Sequence, residues 1–282
     1  MGRWKTGLAI TGMLVGALGM AMLRPGFRAL IFSAGETAET RGWALAQDLG
    51  CTTCHGPMGI GGLANPGAQK IPSLDDFAFM MAVNNETELR EWILDGAPQR
   101  LRDKPGFEKT KAKRAVVMPA YRGKISDDEL EDLIAWYNVI ACTVYPKDAE
   151  AVKGYKAAKK NGCFSCHGPG GRLDITNSGS LVGRIPAWHG GDYEELVANE
   201  AELHEWILDG VCKRLEENTM ARLFMDDQVM TMPAYRGKIS DEEVAAIVAY
   251  IHWLRDPSQP GHTPDFTGEE EEGFGFGFGD EY

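Results

Sequence analysis

The chain repeats itself, and whatever fold it adopts must be one that a single pattern can specify twice. "EWILDG" at 91–96 recurs at 205–210, and "MPAYRGKISD" at 118–127 recurs at 232–241, both 114 residues further on. "CTTCHGP" at 51–57 is echoed by "CFSCHGP" at 163–169, 112 residues further on. The two-residue difference is localised by the runs "KIPSL" and "RIPAW". Pro72 stands 17 residues after His55, whereas Pro186 stands 19 after His167. Runs of this length at a constant offset mark the tandem duplication of one domain of roughly 100 residues.

Each copy reads as helical. Ser126 with Glu129, and Ser240 with Glu243, form capping boxes. Behind the first, Leu130, Leu133, Ile134 and Tyr137 share a helical face, and Val244, Ile247, Val248 and Ile251 repeat it. Asn85 with Glu88, and Asn199 with Glu202, open the helices that close at "LDG", where Gly96 and Gly210 suit a C-terminal stop. A shorter helix is expected before each Cys motif, with Trp43 and Tyr155 at matching positions, and the linker is expected at Pro146 to Glu150. No long alternating strand pattern appears. The expected fold class is all-α: two tandem helical domains over 38–145 and 149–256, after an N-terminal transmembrane helix.

The two ends of the chain differ from the repeats. Arg3 and Lys5 precede a 17-residue apolar run from Gly7 to Leu23, at the lower limit for a spanning helix. A cleaved signal peptide needs a small-residue site after its apolar core, but "RPGFR" follows. An uncleaved anchor over 1–33 fits better, and either reading exports the remainder. Gly12 and Gly16 form a small-xxx-small pair that lets another helix approach closely. From Asp256 onward there are eight acids and no Lys or Arg, so most of the formal charge of -12 lies there. That balance excludes a nucleic-acid binder. Residues 257–282, ending in "GEEEEGFGFGFGDEY", read as a flexible acidic Gly/Phe-rich tail.

Four of the six cysteines lie in the two Cys-x-x-Cys-His runs. Two thiols one helical turn apart can each form a thioether to a vinyl group, and the adjoining His is then held under the iron of a c-type haem. A thioredoxin-like pair would need a βαβ context, and a zinc site a second Cys/His pair nearby. Neither is present. The expected cofactors are two covalent haem c groups on Cys51, Cys54, Cys163 and Cys166, with His55 and His167 as proximal ligands. Of the 12 methionines the repeat selects Met118 and Met232 as distal ligands, each before Pro-Ala-Tyr. His189, His204, His252 and His262 have no counterpart in the first copy and cannot explain a duplicated site.

Cys-x-x-Cys-His, a Pro-containing loop, a helix ending in Gly, and Met-Pro-x-Tyr before a final helix together resemble class I cytochrome c. The likeness covers about 38–142 and 149–256, and the tandem form is similar to dihaem cytochromes. The resemblance implies that the carbonyls of Pro72 and Pro186 accept a hydrogen bond from the proximal histidines. Departures lie in "DDFAFMMAVNN" against "GDYEELVANE", and in the loops between "LDG" and the methionine.

Closed His/Met ligation implies one-electron relay and no catalytic residues. The expected setting is the outer face of a bacterial inner membrane, in the periplasm. The expected partners are a quinol-oxidising respiratory or photosynthetic complex and a soluble redox carrier or terminal acceptor. The alternative is a dihaem enzyme, such as a peroxidase, or the cytochrome subunit of a dehydrogenase. Trp92 and Trp206 are candidates for packing on the haem edges, and Arg100 and Arg214 for pairing with haem propionates. Cys142 and Cys212 have no repeat counterparts, and an exported chain invites a disulfide between them that would staple the domains.

Overall fold

A computed structural model describes residues 36–68, 70–75 and 82–266. The apolar run at 7–23, the anchor expected over 1–33 and the Gly/Phe-rich end of the tail lie outside the described residues. Among the described residues no helix is long and apolar enough to cross a membrane. They fall into two compact units, one of residues 37–173 and 241–266, the other of residues 36 and 174–240.

The first unit is helical. Helix α1 (Ala38–Asp48) leads into α2 (Cys51–His55), and a left-handed Gly50 turns the chain between them. After α3 (Glu86–Asp95), α4 (Gln99–Arg102) and α5 (Phe107–Lys111) comes the long α6 (Asp127–Ile140). The second repeat contributes α7 (Ala149–Lys160), α8 (Phe164–His167) and, from further on, α13 (Asp241–Arg255). The expected linker at 146–150 overlaps the start of α7: Asp148 caps that helix by accepting from Glu150 and Ala151, so the free span ends there.

The helix ends follow the sequence signals. Ser126 and Glu129 form the complete capping box of α6. Asn85 accepts from the Glu88 amide to open α3, and left-handed Gly96 closes it. The expected apolar face of α6 is buried, with Leu130, Leu133, Ile134 and Tyr137 all under 6% exposed.

Two helix crossings build this unit: α1 on α6, and α7 on α13. Both depend on a glycine. A Cβ on Gly42 would lie 1.9 Å from the Asp132 carbonyl oxygen, and one on Gly154 would lie 1.9 Å from that of Ala246. These two glycines correspond across the repeat, and each brings helix backbones closer than any side chain permits. A buried ion pair adds to the core, with Arg172 Nη2 donating to Glu39 Oε1 at 2.9 Å.

The tail expected to begin at 257 starts as ordered chain. The Pro260 carbonyl accepts from Trp253 Nε1 at 2.9 Å, and the Gly261 carbonyl from the Tyr145 amide at 3.1 Å. The Asp265 amide donates to the Thr143 carbonyl at 2.7 Å. The strap is held because it supplies acceptors and donors that the linker backbone otherwise lacks.

The second unit holds the middle of the second repeat. Its antiparallel strands β1 (Ile175–Thr176) and β2 (Arg184–Ile185) are only two residues each. Helices α9 (Asp192–Leu196), α10 (Glu200–Asp209), α11 (Lys213–Glu216) and α12 (Thr219–Asp227) follow. Asn199 caps α10 and left-handed Gly210 ends it, repeating α3 feature for feature.

Candidate haem sites

The first motif is assembled within one unit. A cavity of about 880 Å³ is lined by Cys51, Cys54, His55, Pro72 and Met118, together with Trp92. Thus the expected thioether cysteines, His55, Pro72 and Met118 of the first repeat line a single space. Its volume lies in the upper range for cofactor pockets.

His55 ends α2 and is 9% exposed. Its Nδ1 lies 2.8 Å from the Pro72 carbonyl oxygen. A carbonyl only accepts, so Nδ1 carries the proton and Nε2 is left with its lone pair. Burial pushes the His55 pKa down, which keeps the ring neutral. Burial pushes the Cys51 thiol up. Trp136 also lines the cavity, and its indole N–H is buried with no acceptor among the described residues. An apolar chamber with two thiols, a neutral imidazole offering one nitrogen and a thioether fits a covalently attached haem.

The repeated sequence runs now have physical explanations. In "EWILDG", Glu91 accepts from the Gln99 amide at 2.9 Å, and Trp92 Nε1 donates to the Ala82 carbonyl at 3.1 Å. Asp95 takes a bidentate pair of bonds from Arg122 of "MPAYRG", at 2.7 and 2.8 Å. The Tyr121 and Arg122 amides donate to the Ile93 and Leu94 carbonyls. A Cβ on Gly96 would sit 2.5 Å from the Met118 carbonyl oxygen, so the glycine admits the methionine strand against the helix end. Tyr121 then reaches the Leu49 carbonyl at 3.0 Å, tying the strand to the turn before Cys51.

The second unit repeats this frame. Glu205 accepts from the Lys213 amide, and Trp206 Nε1 donates to the Leu196 carbonyl, each at 2.9 Å. Arg236 grips Asp209 with two bonds of 2.6 Å. A Cβ on Gly210 would sit 2.5 Å from the Met232 carbonyl oxygen. Pro186 also belongs to this unit, whereas Cys163, Cys166 and His167 belong to the first. There, burial raises the Cys163 thiol to about 11, and His167 ends α8 as His55 ends α2.

One pair of residues escaped the sequence reading. Asn65 donates from Nδ2 to the Val116 carbonyl at 2.8 Å, and its Oδ1 accepts from the Val116 amide at 3.0 Å. Asn177 grips Met230 in the same way, at 2.9 Å for both bonds. Each asparagine stands 10 residues after the motif histidine and holds the residue two before the methionine. That shared spacing was the available signal.

The expected role of Arg100 and Arg214 is corrected. Arg100 bonds to Glu88 and Arg214 to Glu202, each with Nε at 2.8 Å, so both arginines are engaged by carboxylates near at hand. Arg100 holds Glu88, and Arg214 holds Glu202, down at about 2. Cys142 and Cys212, expected to pair, fall in different units, and each is packed within its own. Cys142 Sγ lies 4.0 Å from Tyr155 Oη, and burial pushes its thiol up to about 12. Cys212 is fully buried with Sγ 3.9 Å from the Leu196 carbonyl. Each thiol is packed as a small apolar residue.

These features define a class: a chain of two cytochrome c domains, which carry two covalently bound haem c groups. Residues 151–255 match the Cytochrome c family model, and residues 37–136 match that of cytochrome c oxidase, cbb3-type, subunit III. The chain is similar to cytochrome c4 of Azotobacter vinelandii, with 26% identity over 246 residues, 84% of this chain and 98% of that protein. No solved structure matches it. The chain is accordingly a dihaem cytochrome c electron carrier.

Proposed function

We propose that this electron carrier is anchored to the membrane by its N-terminal apolar run, with haem iron ligated by His55 and Met118 in the first domain and by His167 and Met232 in the second. The domains are those delimited by the repeat, 38–145 and 149–256, with thioethers at Cys51, Cys54, Cys163 and Cys166. The observation that supports this reading most is the single cavity that gathers both thiols, His55, Pro72 and Met118.

Bound haem c supplies one-electron exchange between ferric and ferrous iron. The chain's own residues decide how that exchange is conditioned. The Pro72 carbonyl fixes the His55 tautomer and raises the basicity of the free nitrogen. Gly96, Asn65 and the Asp95–Arg122 pair hold the Met118 strand in place, so the sixth position stays closed. An apolar wall of Leu89, Ile93, Leu133 and Trp136 excludes water and disfavours the extra positive charge of the oxidised state.

The 17-residue run with Arg3 and Lys5 before it supports anchoring with the haem domains on the outer, periplasmic face. The match of the first domain to an oxidase subunit model supports work beside a membrane redox complex. A quinol-oxidising respiratory or photosynthetic complex as donor, and a soluble carrier or terminal acceptor beyond, complete the reading.

Met118→Ala in the purified protein is expected to make one of the two haems bind added carbon monoxide or imidazole and leave the other low-spin. An unchanged spectrum refutes the ligand assignment. Membranes washed in high salt are expected to retain the protein, since an apolar helix holds it; release by salt refutes the anchor.

A further inference from the structure

The mouth of the first-domain cavity is basic in a protein that is acidic overall. Between α3 and Met118, residues 99–117 carry seven Lys or Arg and two acids. Arg100 and Arg102 are paired with Glu88 and Asp95. Lys104, Lys111 and Arg114 line the cavity and have no ion-pair partner among the described residues. Beside them Val116 and Val117, 39% and 41% exposed, also line it. The corresponding stretch of the second repeat, residues 213–231, has three basic and four acidic residues. It exposes apolar side chains as well, with Met220 at 65% and Val229 at 75%. Charge therefore distinguishes the two loops and apolarity does not.

The same chain carries a segment of the opposite character. Residues 267–282, outside the described residues, hold Glu269, Glu270, Glu271, Glu272, Asp280 and Glu281 with no Lys or Arg. Phe274, Phe276 and Phe278 alternate with glycine. The segment also starts close by. The strap before it is tied at Asp265 to the Thr143 carbonyl, just past the end of α6, and Leu133, Trp136 and Tyr137 of α6 line the cavity. At about 1.5 Å per helical residue, the cavity wall is ~10–15 Å from that root. Sixteen residues reach up to ~50 Å.

We propose that residues 267–282 dock on the mouth of the first-domain cavity of their own chain. Glu269–Glu272 pair with Lys104, Lys111, Lys113 and Arg114, and the phenylalanines cover Val116 and Val117. An acidic partner that binds the same loop competes with the docked segment. The second domain, whose loop carries no such excess of positive charge, stays uncovered.

The test is zero-length carbodiimide cross-linking of the full-length dihaem protein at ~10 mM ionic strength, where the screening length is about 30 Å, with peptide mapping by mass spectrometry. The expected result is intramolecular links from Glu269–Glu272 to Lys104, Lys111 or Lys113, lost at about 1 M salt, where that length falls to about 3 Å. Replacing Glu269–Glu272 by Gln, outside the folded domains, removes the reacting carboxylates and serves as the chemical blank. Replacing Phe274, Phe276 and Phe278 by Ser is expected to reduce the yield of links several-fold. Absence of links, or links spread evenly over the surface lysines or directed to Lys213, overturns the proposal. Links found only in covalent dimers, distinguished by mixing isotopically labelled and unlabelled protein, overturn it in favour of docking on a second copy. The readout reports contact rather than ligation, so it stands or falls separately from the axial-ligand assignment.

Discussion

At Asn65 a single side chain holds both backbone groups of Val116, two residues before the methionine that faces the site. Asparagine suits the task because its amide offers a donor and an acceptor side by side, matching the C=O and N–H of one residue. Asp would lack the donor and Leu both groups. Asn65→Ala is expected to remove both of these part-buried hydrogen bonds from Val116, costing about 1 kcal/mol for each. It is also expected to loosen Met118 enough that added imidazole competes for one haem, while the second, held by Asn177, is untouched. A titration showing equal imidazole affinity for mutant and parent would show that the clamp does not position the methionine. The clamp also marks the limit of legibility at this scale. That Cys51, Cys54, His55 and Met118 line one cavity was legible because their chemistry is distinctive and their pattern duplicated. Asn65 and Asn177 were equally duplicated, but asparagine in a loop has many ordinary uses, and only the hydrogen-bond geometry singles these out. The reverse holds for Arg100 and Arg214: they corresponded across the repeat, but to hold Glu88 and Glu202.

Among the elements, the paired helix crossings decide whether the cavity wall exists, since α6 supplies Leu133, Trp136 and Tyr137 to it. That wall is brought to α1 at Gly42, where a methyl group would press on the Asp132 carbonyl. Gly42→Ala would ordinarily favour a helix, by roughly 1 kcal/mol of propensity. Here the clash is with backbone, which cannot rotate away, and overpacking of this kind costs about 1–3 kcal/mol. The expected net outcome is a lower melting temperature, by several degrees for a domain of this size. Gly154→Ala should do the same at the α7–α13 crossing. Calorimetry giving an unchanged or raised melting temperature for both would refute the close-approach argument. The caps of α3, α6 and α10, and the buried face of α6, were legible because they follow local rules. The short helices α4, α5, α11 and α12 were not, because no periodic pattern accumulates over four to nine residues. Nor were the glycines, since a helical glycine announces a close approach only when the partner helix is known.

Over the whole molecule, the ends of the folded chain matter more than a domain count suggests. The described residues after α13 do not simply trail into solvent: His262 stacks on Trp253 with ring centroids 4.3 Å apart, and its Nε2 lies 2.9 Å from the Trp253 carbonyl. Pro260, Gly261 and Asp265 bond to Trp253, Tyr145 and Thr143. The strap therefore covers the stretch that joins the repeats, and Tyr145 there packs edge-on against Tyr155 of α7 at 5.0 Å. A chain ended after Arg255 would leave the Trp253 indole N–H and the Tyr145 amide without these partners. At about 1 kcal/mol for each of the lost hydrogen bonds, with uncovered aromatic surface in addition, the expected loss is ~3–5 kcal/mol. A chain ended after Phe266 keeps every one of these bonds and is expected to match the full chain within ~0.5 kcal/mol, although it lacks the acidic segment. Denaturant unfolding of the two truncated proteins beside the full chain separates the cases. If both truncations are equally stable, the strap contributes nothing to the fold; if both are equally weakened, stability depends on residues 267–282 and not on the strap.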